Sequence, residues 1–206
     1  MLFSFEGIDG SGKSTQARRL AASLRERGVD VVEVREPGGT DLGERVRALL
    51  LDPYQHVDPR AELLLFSAAR AQLVSSVVAP ALDRGAVVVA DRFTDSSTVY
   101  QGAGRDLADV DWIESLHRFA TAGLAPHRTY LIDLDVSDAA RRRRGQPSDR
   151  MENAGRPFYE SVRAAYLRLA ATAPQRVLTL DGHRTEDDLA RHILSDALDA
   201  MSERTE

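Results

Sequence analysis

Apolar positions follow two rhythms that take turns along the chain. Five short runs are continuous or β-branched and predict strands over residues 2–5, 29–34, 86–90, 128–133 and 176–180. Between them, apolar residues recur at helical spacing and predict helices over 14–27, 43–51, 60–82, 109–122, 138–144, 157–171 and 186–201, with a short polar helix or turn over 95–101. Punctuation supports these bounds. Asp58-Pro59 opens a helix that Pro80 should bend, Gly85 stops it, and Pro37-Gly38-Gly39 forces a loop after the second strand. The run 86–90 carries no polar residue, as expected of a central parallel strand covered on both faces. Alternating strands and helices predict an α/β fold, a five-stranded parallel sheet with helices on both faces. Residues 102–104 and 145–149 read as loops, 145–149 as polar and mobile, and 202–206 as a disordered tail.

Composition narrows the class. A chain of 206 residues with one set of alternating elements is expected to form a single domain, 1–206. A net charge of −5 argues against a nucleic-acid or membrane-binding surface, and the absence of cysteine excludes disulfides and thiolate metal sites. The N-terminal apolar run ends at Glu6 and is too short for a signal peptide, and no apolar run is counted long enough to span a bilayer. The expectation is a cytoplasmic protein.

The chemistry begins between the first strand and the first helix. Gly7-Ile8-Asp9-Gly10-Ser11-Gly12-Lys13-Ser14-Thr15 satisfies G-x-x-x-x-G-K-[ST], a loop whose backbone N–H groups wrap a polyphosphate. Lys13 would reach the β- and γ-phosphates of ATP and Ser14 would hold Mg²⁺. Lys13 is the only lysine in a chain that otherwise uses arginine, and a compact ammonium suits a place among phosphates.

Ligands of open α/β sheets bind beyond the carboxyl ends of the strands. Polar clusters fall there: the loop 7–14, Arg35-Glu36, Asp91-Arg92 and, less clearly, Asp133. Arg92, Arg70 and Arg47 could face one crevice, and Arg141 to Arg144 with Arg150 crowd a segment, about 141–156, that could close as a lid. Four consecutive arginines point all round a helix, so Arg142 or Arg144 is expected to aim at substrate; Asp149-Arg150-Met151-Glu152 is either lid or hinge ion-pair cluster. Two anions held in line, with arginine to neutralise them, is what phosphoryl transfer requires.

The chain resembles the bacterial thymidylate kinases over essentially its whole length. The resemblance rests on the phosphate loop, Arg35-Glu36-Pro37-Gly38-Gly39-Thr40, Leu65-Phe66-Ser67-Ala68-Ala69-Arg70, Asp91-Arg92-Phe93 through Tyr100-Gln101-Gly102, and the lid string with Phe158-Tyr159. It implies a P-loop nucleoside monophosphate kinase fold and transfer of the γ-phosphoryl group of ATP to dTMP. It implies that Asp9 accepts from the acceptor 3′-hydroxyl and that Glu36 and Arg47 lie near the acceptor. Arg92 would clamp its phosphate and Phe66 would stack on thymine, although a plain core phenylalanine is the rival reading. Arg70 would donate to O4, Ser97 and Gln101 would read the base edge, and Tyr100 would crowd the 2′ position. Some members carry an arginine where this chain has Gly10; with glycine there, the lid should supply the catalytic arginine. The resemblance also implies a homodimer, through 61–78 and 109–122. Val99 and Ala69 depart from the family pattern beside the expected pocket. Two alternatives share the loop: another small P-loop nucleotide or deoxynucleoside kinase, and a nucleotide switch with no acceptor pocket.

Overall fold

A computed structural model describes residues 1–103, 110–145, 150–151 and 154–203. The element order is β1 (Leu2–Glu6), α1 (Lys13–Arg25), β2 (Val31–Arg35), α2 (Asp41–Leu51), α3 (Pro59–Leu73), α4 (Ala79–Asp83), β3 (Val87–Asp91), α5 (Thr94–Ser97), α6 (Val110–Ala120), β4 (Arg128–Asp133), α7 (Val136–Arg142), α8 (Arg156–Thr172), β5 (Val177–Asp181) and α9 (Glu186–Ser202). All five strands are parallel, in the order β2-β3-β1-β4-β5. Strand order therefore reverses beside β1, the topological switch point where such sheets bind ligands.

Alternation along β1 and β3 decides which face is which. Phe3, Phe5, Val87 and Val89 pack on Leu20, Ala21 and Leu24 of α1 and on Leu189 and Ile193 of α9. Leu2, Val88 and Ala90 face the other way, onto Leu73, Val78 and Ala81. Leu131 extends that second face onto Tyr159, Val162 and Tyr166 of α8. Ser4 and Glu6 share this second face and are fully buried. Ser4 Oγ pairs with Thr129 Oγ1 at 2.7 Å, and Thr129 donates to Asp95 Oδ2 at 3.2 Å. Arg176 also donates to Asp95, so the floor of the sheet is tied by hydrogen bonds to α5 above it.

The bend expected near Pro80 is a widened turn placed just before it. Val74–Val78 is π-helical, and Ala79 N–H donates to Val74 O. Pro80 has no N–H to continue the α pattern, and the wider turn takes up the mismatch. The 95–101 segment resolves into α5 followed by a second π-helical stretch, Thr98–Ala103. The start expected for the helix at 109, the loop end at 104, residues 146–149 and 152–153 of the expected lid, and the tail 204–206 lie outside the described residues. One expectation is corrected. The helical stretch Pro59–Asp83 has a mean hydropathy of 1.4 in its best window and is long and apolar enough to cross a bilayer. A count of consecutive apolar residues missed it because the window tolerates a few charges. Here its Leu73, Val74 and Val78 pack on the sheet, and it carries the buried Glu62 and Arg70.

Leu24 is fully buried between α1 and the sheet and far from polar groups. Leu24→Ala is expected to lower unfolding stability by about 2–5 kcal/mol, read as a shift in urea midpoint at unchanged m-value.

Candidate active site

The loop between β1 and α1 needs its glycines. Gly7, Gly10 and Gly12 have φ of 141°, 87° and 102°, conformations that side chains rarely adopt. At Gly10 a Cβ would also lie 2.6 Å from Ala139 O and 3.1 Å from the stem of Arg143. Gly12 precedes α1 and no side chain caps the helix. Its first amides are therefore left to an anion, and the dipole of α1 points the same way.

Asp9 is the meeting point of the site. Its Oδ1 accepts from Lys13 Nζ at 3.1 Å and from Arg92 Nη2 at 2.7 Å, and its Oδ2 accepts from Tyr159 OH at 3.3 Å. Burial would raise the Asp9 pKa, but the Lys13 and Arg92 charges and their hydrogen bonds overcome it and hold the carboxyl well below the usual range. The lysine of the loop and the arginine after β3 thus share one carboxylate oxygen.

Arg92 is held in a strained backbone, φ 73°, which costs about 1–3 kcal/mol. Glu6 fixes this turn. Its Oε1 accepts the Phe93 N–H at 2.8 Å, and its Oε2 accepts from Ser96 Oγ at 2.6 Å and Tyr166 OH at 2.8 Å. Arg92 Nη1 in turn donates to Ser96 Oγ at 2.9 Å and its guanidinium lies 5.0 Å from the centre of the Tyr100 ring. Burial, with the nearby Asp95 charge, pushes Glu6 up to about 7 against the pull of Arg92. The sequence placed Glu6 in a motif without a role; Ser96, Tyr159 and Tyr166 were not singled out for one.

Glu36, Arg47, Phe66, Ser97, Tyr100 and Gln101 come together around a narrow pocket of about 90 Å³ that also touches Asp9 and Arg92. Phe66 is half-buried on its wall and also packs on the Val46, Leu50 and Ala69 cluster. Arg70 stands one helical turn beyond Phe66. Its Nε donates to Glu36 Oε2 at 2.8 Å, its Nη2 lies 2.6 Å from the same oxygen as an ion pair, and Nη2 donates to Phe93 O and Ser97 Oγ. Its Nη1 donates to His117 Nδ1 at 3.4 Å. Burial, and then the Arg70 charge, pushes His117 down to about 3, so the ring is neutral and its Nε2–H donates to Thr98 Oγ1. Glu36 Oε1 is buried with no hydrogen-bond partner among the described residues. Arg47 donates to Pro37 O at 3.0 Å at the pocket mouth. Val99 and Ala69 are buried in core clusters and do not line the pocket.

The arginine segment divides by role. Arg142 donates to Ser11 O at 3.3 Å and to Gly182 O at 2.8 Å, bridging the phosphate loop to the turn after β5. Arg143 lies against Gly10, a position the sequence reading passed over. Arg144 is exposed at the end of α7. Arg150 reaches α3, where it pairs with the buried Glu62. Asp133 leaves the cluster and is forked by Arg163 at 2.7 and 2.9 Å.

Ser14, Lys13, Asp91 and Arg92 line one open cleft with Glu36 and Arg47. Asp91 Oδ1 is buried and unpaired among the described residues. A hydroxyl and an orphaned carboxylate beside a phosphate loop are the hard oxygen donors that suit Mg²⁺, so the residues present fit that ion. The sequence signal for Asp91 was present, an acid ending an apolar strand, but Ser14 alone was named for the metal.

The raised Glu6 value sets a pH signature. Folded Glu6 keeps its proton to about 7 where the unfolded chain releases it near 4.5. Over that window the folded state binds more protons and stability falls as pH rises; above it the contribution is level. Glu6→Gln cannot lose a proton there, so its stability relative to wild type is expected to climb between about pH 5 and about pH 7 and then stay constant. Urea unfolding at stepped pH reads this, and parallel curves would contradict it.

A thymidylate kinase family profile matches residues 5–193. The thymidylate kinase of Deinococcus radiodurans is 48% identical over 206 residues, covering 99% of this chain and 97% of its own. That of Chlorobaculum parvum is 44% identical, covering 98% and 96%. A crystal structure of thymidylate kinase from Ehrlichia chaffeensis superposes with a TM-score of 0.78 at 34% identity, covering 96% of this chain and 98% of that one. With fold, phosphate loop and sequence agreeing from end to end, the chain belongs to the thymidylate kinase family.

Proposed function

We propose that the chain transfers the γ-phosphoryl group of ATP to dTMP, with the two nucleotides end to end across the Asp9–Lys13–Arg92 cluster. The observation that carries this is the shared Asp9 oxygen: the donor-side lysine and the acceptor-side arginine lie within hydrogen-bond reach of one atom. Phosphates arriving from either side take over these cations, and the two anions then face each other in line. An acceptor phosphate oxygen attacks the γ-phosphorus, the bond to the bridging oxygen breaks, and ADP leaves with that electron pair. The acceptor oxygen is already ionised, so no general base is needed.

Residue roles follow the geometry. Amides of the loop 7–15 and Lys13 take the ATP phosphates. Ser14 and Asp91 would hold Mg²⁺, which neutralises phosphate charge when bound. Arg92 clamps the acceptor phosphate, Asp9 accepts from the one free hydroxyl of its sugar, the 3′-hydroxyl, and Glu36, whose Oε1 is unpaired among the described residues, lies beside the acceptor. The end of α7 supplies lid charge, with the stem of Arg143 against Gly10 and Arg144 beside it, while Arg142 is occupied by backbone carbonyls. The acceptor pocket argues against a nucleotide switch.

Lys13→Ala is expected to lower kcat by about 100-fold or more, and Arg92→Gln to lower kcat and raise the KM for dTMP. A coupled ADP-release assay with and without dTMP reads both; wild-type turnover independent of dTMP would refute the kinase reading. For the homodimer, α3 and α6 expose Leu64, Trp112 and Phe119, the last at 85%. Sedimentation is expected to show a dimer that Phe119→Glu shifts towards monomer.

A further inference from the structure

Gln101 is buried on the wall of the pocket that holds Phe66. Its carboxamide nitrogen donates to Glu62 Oε1 at 3.0 Å. The carboxamide oxygen has no hydrogen bond among the described residues. Nothing in glutamine itself fixes that orientation, because a carboxamide turned over by half occupies the same shape with donor and acceptor exchanged. Glu62 fixes it. Glu62 is fully buried, and its other oxygen accepts from Arg150 Nη2 at 2.5 Å. Arg150 is held in turn, its Nε donating to Leu50 O at 2.8 Å and its backbone N–H to Leu51 O at 3.3 Å. A carboxylate paired in this way offers only acceptors. The amide facing it must present NH₂ to it and C=O to the other side.

We propose that the Glu62–Arg150 pair sets base specificity by holding Gln101 with its carbonyl oxygen as the acceptor offered to the pyrimidine edge. Such an oxygen matches a base whose N3 carries a proton, as in thymine and uracil. It meets the lone pair of a cytosine N3 acceptor to acceptor. Freed from Glu62, the same glutamine could turn and donate to cytosine. Glu62 and Arg150 are thus positioning residues that act through Gln101. This rests on the reading that the Phe66 pocket takes the base.

The test uses the full-length enzyme with dTMP and with 5-methyl-dCMP, which keeps the methyl group and shape but reverses the edge. Wild type is expected to use dTMP and discriminate strongly; a wild type that ignores dTMP would remove the base-pocket reading itself. Glu62→Gln keeps the size but can donate, so Gln101 is released to turn. The ratio of kcat/KM for dTMP over 5-methyl-dCMP is expected to fall about tenfold or more, through the KM for dTMP more than kcat, and Glu62→Asp is expected to retain more of the ratio. Equal losses on both substrates would mark a packing defect and overturn the proposal, as would an unchanged ratio. Should Glu62→Gln fail to fold, Arg150→Gln leaves the acid in place without its guanidinium. It is expected to lower the same ratio, and its failure to do so overturns the proposal equally.

Discussion

One carboxylate oxygen shared by two cations organises this enzyme. Lys13 comes from the start of α1 and Arg92 from the turn after β3, and Asp9 draws both to a point. The sheet makes the meeting possible, because β1 and β3 are neighbours with Phe5 in register with Asp91. Two cations this close would repel in the absence of ligand; the carboxylate offsets that charge until phosphates take its place. In the proposed reaction, binding is therefore largely an exchange of anions, with the cations already in position.

The cost of this arrangement is borne beneath it. Arg92 occupies a left-handed backbone that favours glycine, and a buried glutamate accepts the N–H of the next residue. Ser96 and Tyr166 give the same glutamate two further donors, so its lone pairs are used by groups from α5 and α8. Beneath α5, Asp95 is tied to Thr129 and Arg176. The polar interior of the second sheet face is a support for one arginine, with its hydrogen bonds satisfied through residues from four elements.

The sequence made the local features plain and left the distant ones dark. The phosphate loop is contiguous, and glycine spacing announces it; the five strands follow from runs of apolar residues that no other element explains. Strand order was not legible, because nothing in a run of valines names its neighbour. Phe66, Ser97 and Gln101 were legible through family likeness, but their supports were not. Glu62 lies 39 residues from Gln101 and 88 from Arg150, and a glutamate on an amphipathic helix reads as solvent-facing. The arginine run shows the same limit. Spacing said that only one or two could point inward, and the packing of α7 brings both Arg142 and the stem of Arg143 to the loop. The long α3–α4 helix shows a further limit, because its apolar length passes a bilayer test that counting consecutive apolar residues does not reveal.

Gly10 ties two parts of the chain's history together. Its φ of 87° and the 2.6 Å approach of Ala139 O leave no room for a side chain while α7 rests on the loop. A loop arginine at this position and the present seat of α7 are mutually exclusive. A lineage passing from one arrangement to the other must change both at once or cross an intermediate in which neither is well formed. Substitutions at position 10 and along α7 are therefore epistatic, and each is neutral or harmful according to what the other has already become.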